Sequence, residues 1–419
     1  MSGARDKNYD QEIFSRSPLV GEHVRVSRER WGVNGRASLR PPSLSLPHKG
    51  GGERARRSCA QSRFSVCVMA ALLACSAPSI ADAEADHAAI AEAALTNVIR
   101  PGYADLTAAT AALEGDVRSL CAQPSTRALK KTKDSFEKTV AAWSRVEILR
   151  FGPILQDHRY ERIFYWPDPK GIGLRQVQTA LRDRDATVTG PNSLAEKSVA
   201  LQGLPALEYL LYGAGAEALA TADGAFRCGF AASVADNMMR IASGTAEGWR
   251  EGADHAKAFL GSVPENRLYH TPKEVTLELF KAFTAGIELV RDQKIAKPLG
   301  ASPQEARPRL APLWRSGLSF ESMAGNIAGV RKLFADGGLA VLVAGESPGV
   351  EQSVEFDLDH AVEVLRGIEV PVQTAATDAE LRGQLGALRV ALKSASQTAG
   401  DMISRAAGLS FGFNAMDGD

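Results

Sequence analysis

Charge of one sign is what this sequence lacks most plainly: Lys+Arg and Asp+Glu each total 49, for a formal net charge of +0. A chain without a basic surplus has no general attraction for a phosphate backbone, so nucleic acid is not expected as a partner. Aromatic residues are scarce, at 6%. Sandwiches and barrels draw on aromatic and β-branched residues, whereas Ala, Leu and Glu recur here in long stretches free of Gly and Pro, which favours helices. The extended apolar run, Phe64 to Cys75, is too short for a permanent bilayer span, which needs about 20 residues. Cysteine is sparse, at five in 419 residues, and no Ser/His/Asp or Cys/His arrangement stands out by spacing.

What is present divides the chain unevenly. Residues 1–57 show neither a period of 2 nor one of 3.6, and carry Arg-rich and Gly/Pro/Ser-rich patches such as Pro41-Pro42-Ser43 and Gly50-Gly51-Gly52. Such a segment cannot bury enough apolar surface to offset its ordering entropy. It reads either as a disordered extension or as a start placed too far upstream, and is expected to carry no function. Residues 58–83 have the layout of an export signal. A basic stretch (Arg54, Arg56, Arg57, Arg63) precedes the apolar run, and Ala81-Asp82-Ala83 supplies small residues where a signal peptidase reads. Leu72-Leu73-Ala74-Cys75 also resembles a lipobox, in which Cys75 would carry the lipid. The expected location is the periplasm, with the protein either soluble or anchored through Cys75. After cleavage only Cys121 and Cys228 remain. An even pair in an oxidising compartment points to one disulfide, the alternative being two free buried thiols.

From Glu84 onward the pattern is helical. Ser125 is placed to cap a helix reaching about Arg150, with Phe136, Val140, Trp143, Val146 and Leu149 at three- and four-residue spacing. Pro101-Gly102 is expected to kink or split the preceding helix of residues 86–120. A loop-rich stretch spans 151–173. Further helices are predicted over about 174–182, 193–200, 205–212, 225–249, 272–293, 319–335, 350–367 and 378–407. The expectation is an all-α chain of two packed helical bundles, residues 84–255 and 256–419, facing a central cleft.

Several segments together resemble the imelysin-like family. They are Trp143-x-x-Val146-Glu147-x-x-Arg150-Phe151-Gly152, Arg162-Ile163-Phe164-Tyr165-Trp166-Pro167-Asp168-Pro169-Lys170-Gly171, Gly203-Leu204-Pro205-Ala206-Leu207-Glu208-Tyr209, Trp314-Arg315-Ser316-Gly317 and the terminal Gly412 to Asp419. The resemblance spans the chain beyond the signal, in order. It implies two facing bundles with a site between them and a link to iron acquisition. Its signature is G-x-H-x-x-E, whose His and Glu share one helical face and are the implied metal ligands. Here Pro205 stands at the His position and has no donor atom, although proline suits the first turn of a helix. Glu208 alone would make a poor zinc or iron site. A second HxxE, His360-Ala361-Val362-Glu363, follows Glu355, Asp357 and Asp359, and reads as a solvated helix face or a metal site.

Glu147 and Arg150 are expected on one helix face, as an ion pair or as a polar pair lining the cleft. Arg162, Asp168, Lys170 and Arg175 crowd a loop with Tyr165 and Trp166, which suits anion binding, cation–π contacts or a packed lid. Ser198, Arg315, Ser316 and Asn326 are further cleft candidates, or ordinary surface and capping residues. The closing Phe413-Asn414-x-x-Asp417-Gly418-Asp419 offers oxygens for a cation or forms a capping turn. The leading expectation is a non-catalytic periplasmic binding or accessory protein that handles iron, haem or an iron chelate. The alternatives are a metallopeptidase-like hydrolase, which needs the metal site that Pro205 removes, and a scaffold for an envelope or outer-membrane partner. No cofactor is required by the sequence; iron or another divalent metal is the candidate.

Overall fold

The structure, a computed structural model, describes residues 80–261 and 265–408. The basic stretch, the apolar run with Cys75, and the terminal segment from Gly412 lie outside them. The described residues hold helices and no strand. The main helices are α1 (Ile80–Ala94), α2 (Arg100–Ala122), α3 (Thr126–Val146), α4 (Ile172–Asp183), α5 (Gly203–Tyr212), α6 (Ala225–Trp249), α7 (Pro272–Glu288), α8 (Ser319–Ala335), α9 (Leu339–Glu346), α10 (Val350–Arg366) and α11 (Ala379–Ala406). Among the described residues, no helix is long and apolar enough to cross a membrane.

Packing follows the apolar stripes. On α3, Phe136, Val140, Trp143 and Val146 are buried at the predicted spacing, and Ser125 caps the helix by accepting from Ala128 N at 3.1 Å. α2 packs on α3 and α6, α7 and α10 pack on α8, α9 and α10 pack on α11, and α3 lies against α8. The N-terminal α1 packs on α7, where His87 Nδ1 lies 3.0 Å from Thr276 Oγ1. Cys121 at the end of α2 is bonded to Cys228 near the start of α6, the disulfide expected from the sequence.

Pro101 does not split its helix. α1 continues into α2 through a π-helical segment, Leu95–Ile99, in which Arg100 N donates to Leu95 O five residues back. Widening the coil by one residue ahead of the proline makes room for its ring. The same device recurs after α7, where Leu289–Ala296 is π-helical ahead of Pro298. Two other expectations are corrected. The helix expected over 193–200 is a short one, Pro191–Ala195, then a 3-10 turn, Val199–Leu201, because Ser198 leaves helical geometry and caps that turn. α3 stops at Val146, since Leu149 N and Arg150 N turn back to Val146 O and Ile148 O.

Candidate functional site

α5 begins at Gly203, whose φ is +73°, and a Cβ there would overlap the carbonyl of Ile163. That contact seats the helix against the 160–166 segment. Pro205 lies in the first turn, where backbone N–H groups have no intrahelical acceptor and a missing one is harmless. One turn on, Glu208 is only 3% exposed. Its Oε1 is met at 2.9 Å by Arg315 N, at 2.9 Å by Ser316 N and at 3.0 Å by Ser316 Oγ, while Arg315 Nη1 stands 3.9 Å from Oε2. Burial pushes the Glu208 carboxyl above its ordinary range, against the opposing pull of Ser316 and Arg315. The carboxylate therefore fixes the turn that carries Trp314 and Arg315.

That turn closes a cavity of about 430 Å³ lined by Trp166, Pro205, Glu208, Tyr209, Trp314 and Arg315, among others. The Arg315 guanidinium lies 4.3 Å from the Trp314 ring centre and 5.6 Å from that of Tyr209, and Arg309 lies 5.3 Å from Trp314. Trp166 Nε1 donates to Leu310 O at 3.1 Å, both residues lining the cavity, and the Trp166–Pro167 peptide is cis. Asp168 also lines the cavity, but its two oxygens accept from Ile172 N (2.7 Å) and Gly173 N (2.8 Å), anchoring the start of α4.

Behind the aromatic wall lies a buried polar cluster. Gly325 and Gly329 let α8 approach α3 closely, and a Cβ at residue 329 would overlap Arg145 O. This approach sets Ser144 and Glu147 against Ser322 and Asn326. Lys294, from the π-helical segment, donates to Glu147 Oε2 (2.7 Å), Asn326 Oδ1 (2.7 Å) and Ser322 Oγ (3.1 Å). Asn326 Nδ2 donates to Glu147 Oε2 (2.9 Å) and Ser144 O (2.7 Å). Glu147 and Lys294 are fully buried, and burial pushes the Lys294 ammonium below its ordinary range while Glu147 opposes this. The ammonium also sits 5.4 Å from the ring centre of Phe164 and 5.6 Å from that of Trp166, two residues that line the cavity.

Residues 99–398 match the family model described as Imelysin. The chain belongs to the imelysin family. Among solved structures, an imelysin-like protein from Psychrobacter arcticum 273-4 is 18% identical with a TM-score of 0.65, covering 79% of this chain and 98% of that one. The "putative iron-regulated protein A precursor" of Parabacteroides distasonis ATCC 8503 is 15% identical with a TM-score of 0.63, covering 79% and 97%. At such identities the likeness speaks for the fold. No curated protein matches.

Within this imelysin fold the candidates named from the sequence separate. Asp168, Glu208 and Arg315 line the cavity, and Ser316 hydrogen-bonds Glu208 beside it. Glu147 and Asn326 belong to the cluster behind. Glu147 does not pair with Arg150, which lies 4.6 Å over the Tyr160 ring instead, because the helix ends before residue 150. Arg162 donates to Gln202 Oε1 and Ala195 O, tying loops together. Lys170 and Ser198 are exposed and outside the cavity lining. His360 and Glu363 are exposed on α10, with His360 stacked on Phe356, while Arg331 takes Glu355 and Asp359. Among the described residues, no three His, Cys, Asp or Glu side chains gather as a metal site would require. Sequence reasoning missed Lys294, Arg309 and the aromatic lining contributed by Trp314 and Tyr209.

Proposed function

We propose that this chain is an exported, non-catalytic binding or accessory protein in iron handling, resident in the periplasm, with its ligand held in the Glu208–Trp314 cavity between two helical lobes. One observation carries the reading: the Glu208 carboxylate is spent on holding the 314–316 turn, and the residue one turn before it, Pro205, offers no metal donor. What remains is a formed, largely apolar cavity without an assembled metal or nucleophile, within the size range of small-molecule sites. The link to iron is drawn from the solved relative whose name calls it iron-regulated. Export is drawn from the signal-like residues 58–83, and the Cys121–Cys228 bond is consistent with an oxidising compartment.

The test is calorimetric titration of the purified full chain with ferrous iron, ferric citrate, zinc and haem, beside Trp314→Ala. Stoichiometric binding of an iron species that is lost in Trp314→Ala supports the reading. No binding of any iron species overturns it, and a zinc-dependent hydrolysis abolished by Glu208→Ala would replace it with an enzyme.

A further inference from the structure

The charge and hydrogen bonding of the cavity lining define the chemistry it can accept. Its two carboxylates are already engaged. Asp168 takes one backbone N–H on each oxygen, and Glu208 Oε1 faces two backbone N–H groups and a hydroxyl. At three of these four oxygens a bare cation would have to displace donors already in place, and the fourth, Glu208 Oε2, faces the Arg315 guanidinium at 3.9 Å. The cationic side chains are in the opposite state. Lys297, Arg309 and Arg315 all line the cavity. Lys297 and Arg309 have no ion pair among the described residues, and Arg315 has only the loose 3.9 Å approach to Glu208. Both guanidinium groups are stationed on the Trp314 ring, which orients their N–H edges and leaves them available to an acceptor. Trp314, Tyr209 and Trp166 line the cavity beside them.

We propose, resting on the reading that this cavity is the binding site, that it recognises a planar aromatic carboxylate, free or as its ferric chelate, and not a bare metal ion. The ring lies against Trp166 and the neighbouring apolar lining, and the carboxylate pairs with Arg315 and Arg309, a planar anion against planar donors. Glu208 is then a positioning residue: its Oε1 holds the backbone N–H groups of Arg315 and Ser316.

Calorimetry of the full chain with 2,3-dihydroxybenzoate, its ferric complex and its neutral methyl ester tests this, with zinc and ferrous salts as the bare-metal arm. The acid is expected to bind at one per chain. The ester, Arg309→Gln and Arg315→Gln should each weaken binding by about tenfold or more. Arg309 is exposed, so Arg309→Gln is expected to leave the melting temperature unchanged. Equal affinity for the free acid and the ferric complex identifies the aromatic acid as the ligand, whereas binding of the complex alone identifies the chelate. Equal binding of acid and ester, binding untouched by both arginine variants, or no binding of either form overturns the inference. Its failure and that of the iron reading are separable. Ferric citrate or haem bound in a Trp314-dependent way, with acid and ester bound alike, keeps the cavity reading and discards the anion. Arginine-dependent binding of the free acid, with no iron species bound, keeps both the cavity and the anion and discards the iron reading.

Discussion

Lys294 Nζ lies 2.7 Å from Glu147 Oε2, 147 residues away in sequence, and neither side chain reaches solvent. The pair joins α3 to the π-helical segment behind the Phe164–Trp166 wall, so the cavity and the helix crossing share one foundation. Removing one charge strands the other in the interior. Lys294→Met or Glu147→Ala is expected to lose about 3–5 kcal/mol of stability, and the double replacement Glu147→Leu/Lys294→Met to recover much of it. Urea unfolding of all three proteins measures this, and equal losses in single and double variants would count against the stranded charge as the source of the loss.

The Cys121–Cys228 bond closes a loop across 107 residues of sequence. Constraining so long a segment of the unfolded chain is worth about 2–5 kcal/mol. The Cys121→Ser/Cys228→Ser double variant should therefore melt several degrees lower than the oxidised protein. Reductant should lower the wild-type melting temperature toward that of the variant and leave the variant unchanged.

His87 gives a pH dependence. Burial first, and Lys273 second, push its imidazole below the ordinary value of 6.5, with Asp86 opposing. The folded state thus holds fewer protons than the unfolded state just below pH 6.5, and stability falls as the pH drops through the window between 6.5 and the lowered folded value. Melting curves at pH 7.5 and pH 5 should show a larger acid loss for the wild type than for His87→Gln, which keeps a hydrogen-bonding group beside Thr276. An equal loss would place the acid sensitivity elsewhere.

Gly203 is fixed by both its φ of +73° and the Ile163 carbonyl against it. Gly203→Ala is expected to cost more than about 1 kcal/mol and to shift α5, loosening the Glu208 contacts. Urea unfolding reads the first effect. Weaker ligand binding by the folded variant reads the second.

The long helices were legible because their apolar residues recur at helical spacing and their breaks carry Gly and Pro, as with α6, α8 and α10. Ser125 was legible as a cap for the same local reason. Lys294 was not. It sits among Arg291, Asp292, Gln293 and Lys297, which reads as a solvated face, and only the π-helical widening before Pro298 accompanies its turn inward. Arg309 lies between Pro308 and Pro312, where no periodicity signals a role. Glu208 was singled out through its motif, but that its oxygen is met by the 315–316 turn depends on a contact spanning 107 residues, which no local pattern records.

Tryptophan fluorescence reads ligand entry at the cavity itself, because Trp166 and Trp314 both line it. Ferric citrate and haem are titrated into the full chain and into Trp314→Phe and Trp166→Phe/Trp314→Phe. The account predicts saturable quenching at one equivalent for at least one of these ligands, reduced in the single variant and nearly abolished in the double. Quenching that persists unchanged in the double variant, or no saturable change with either ligand, would contradict it.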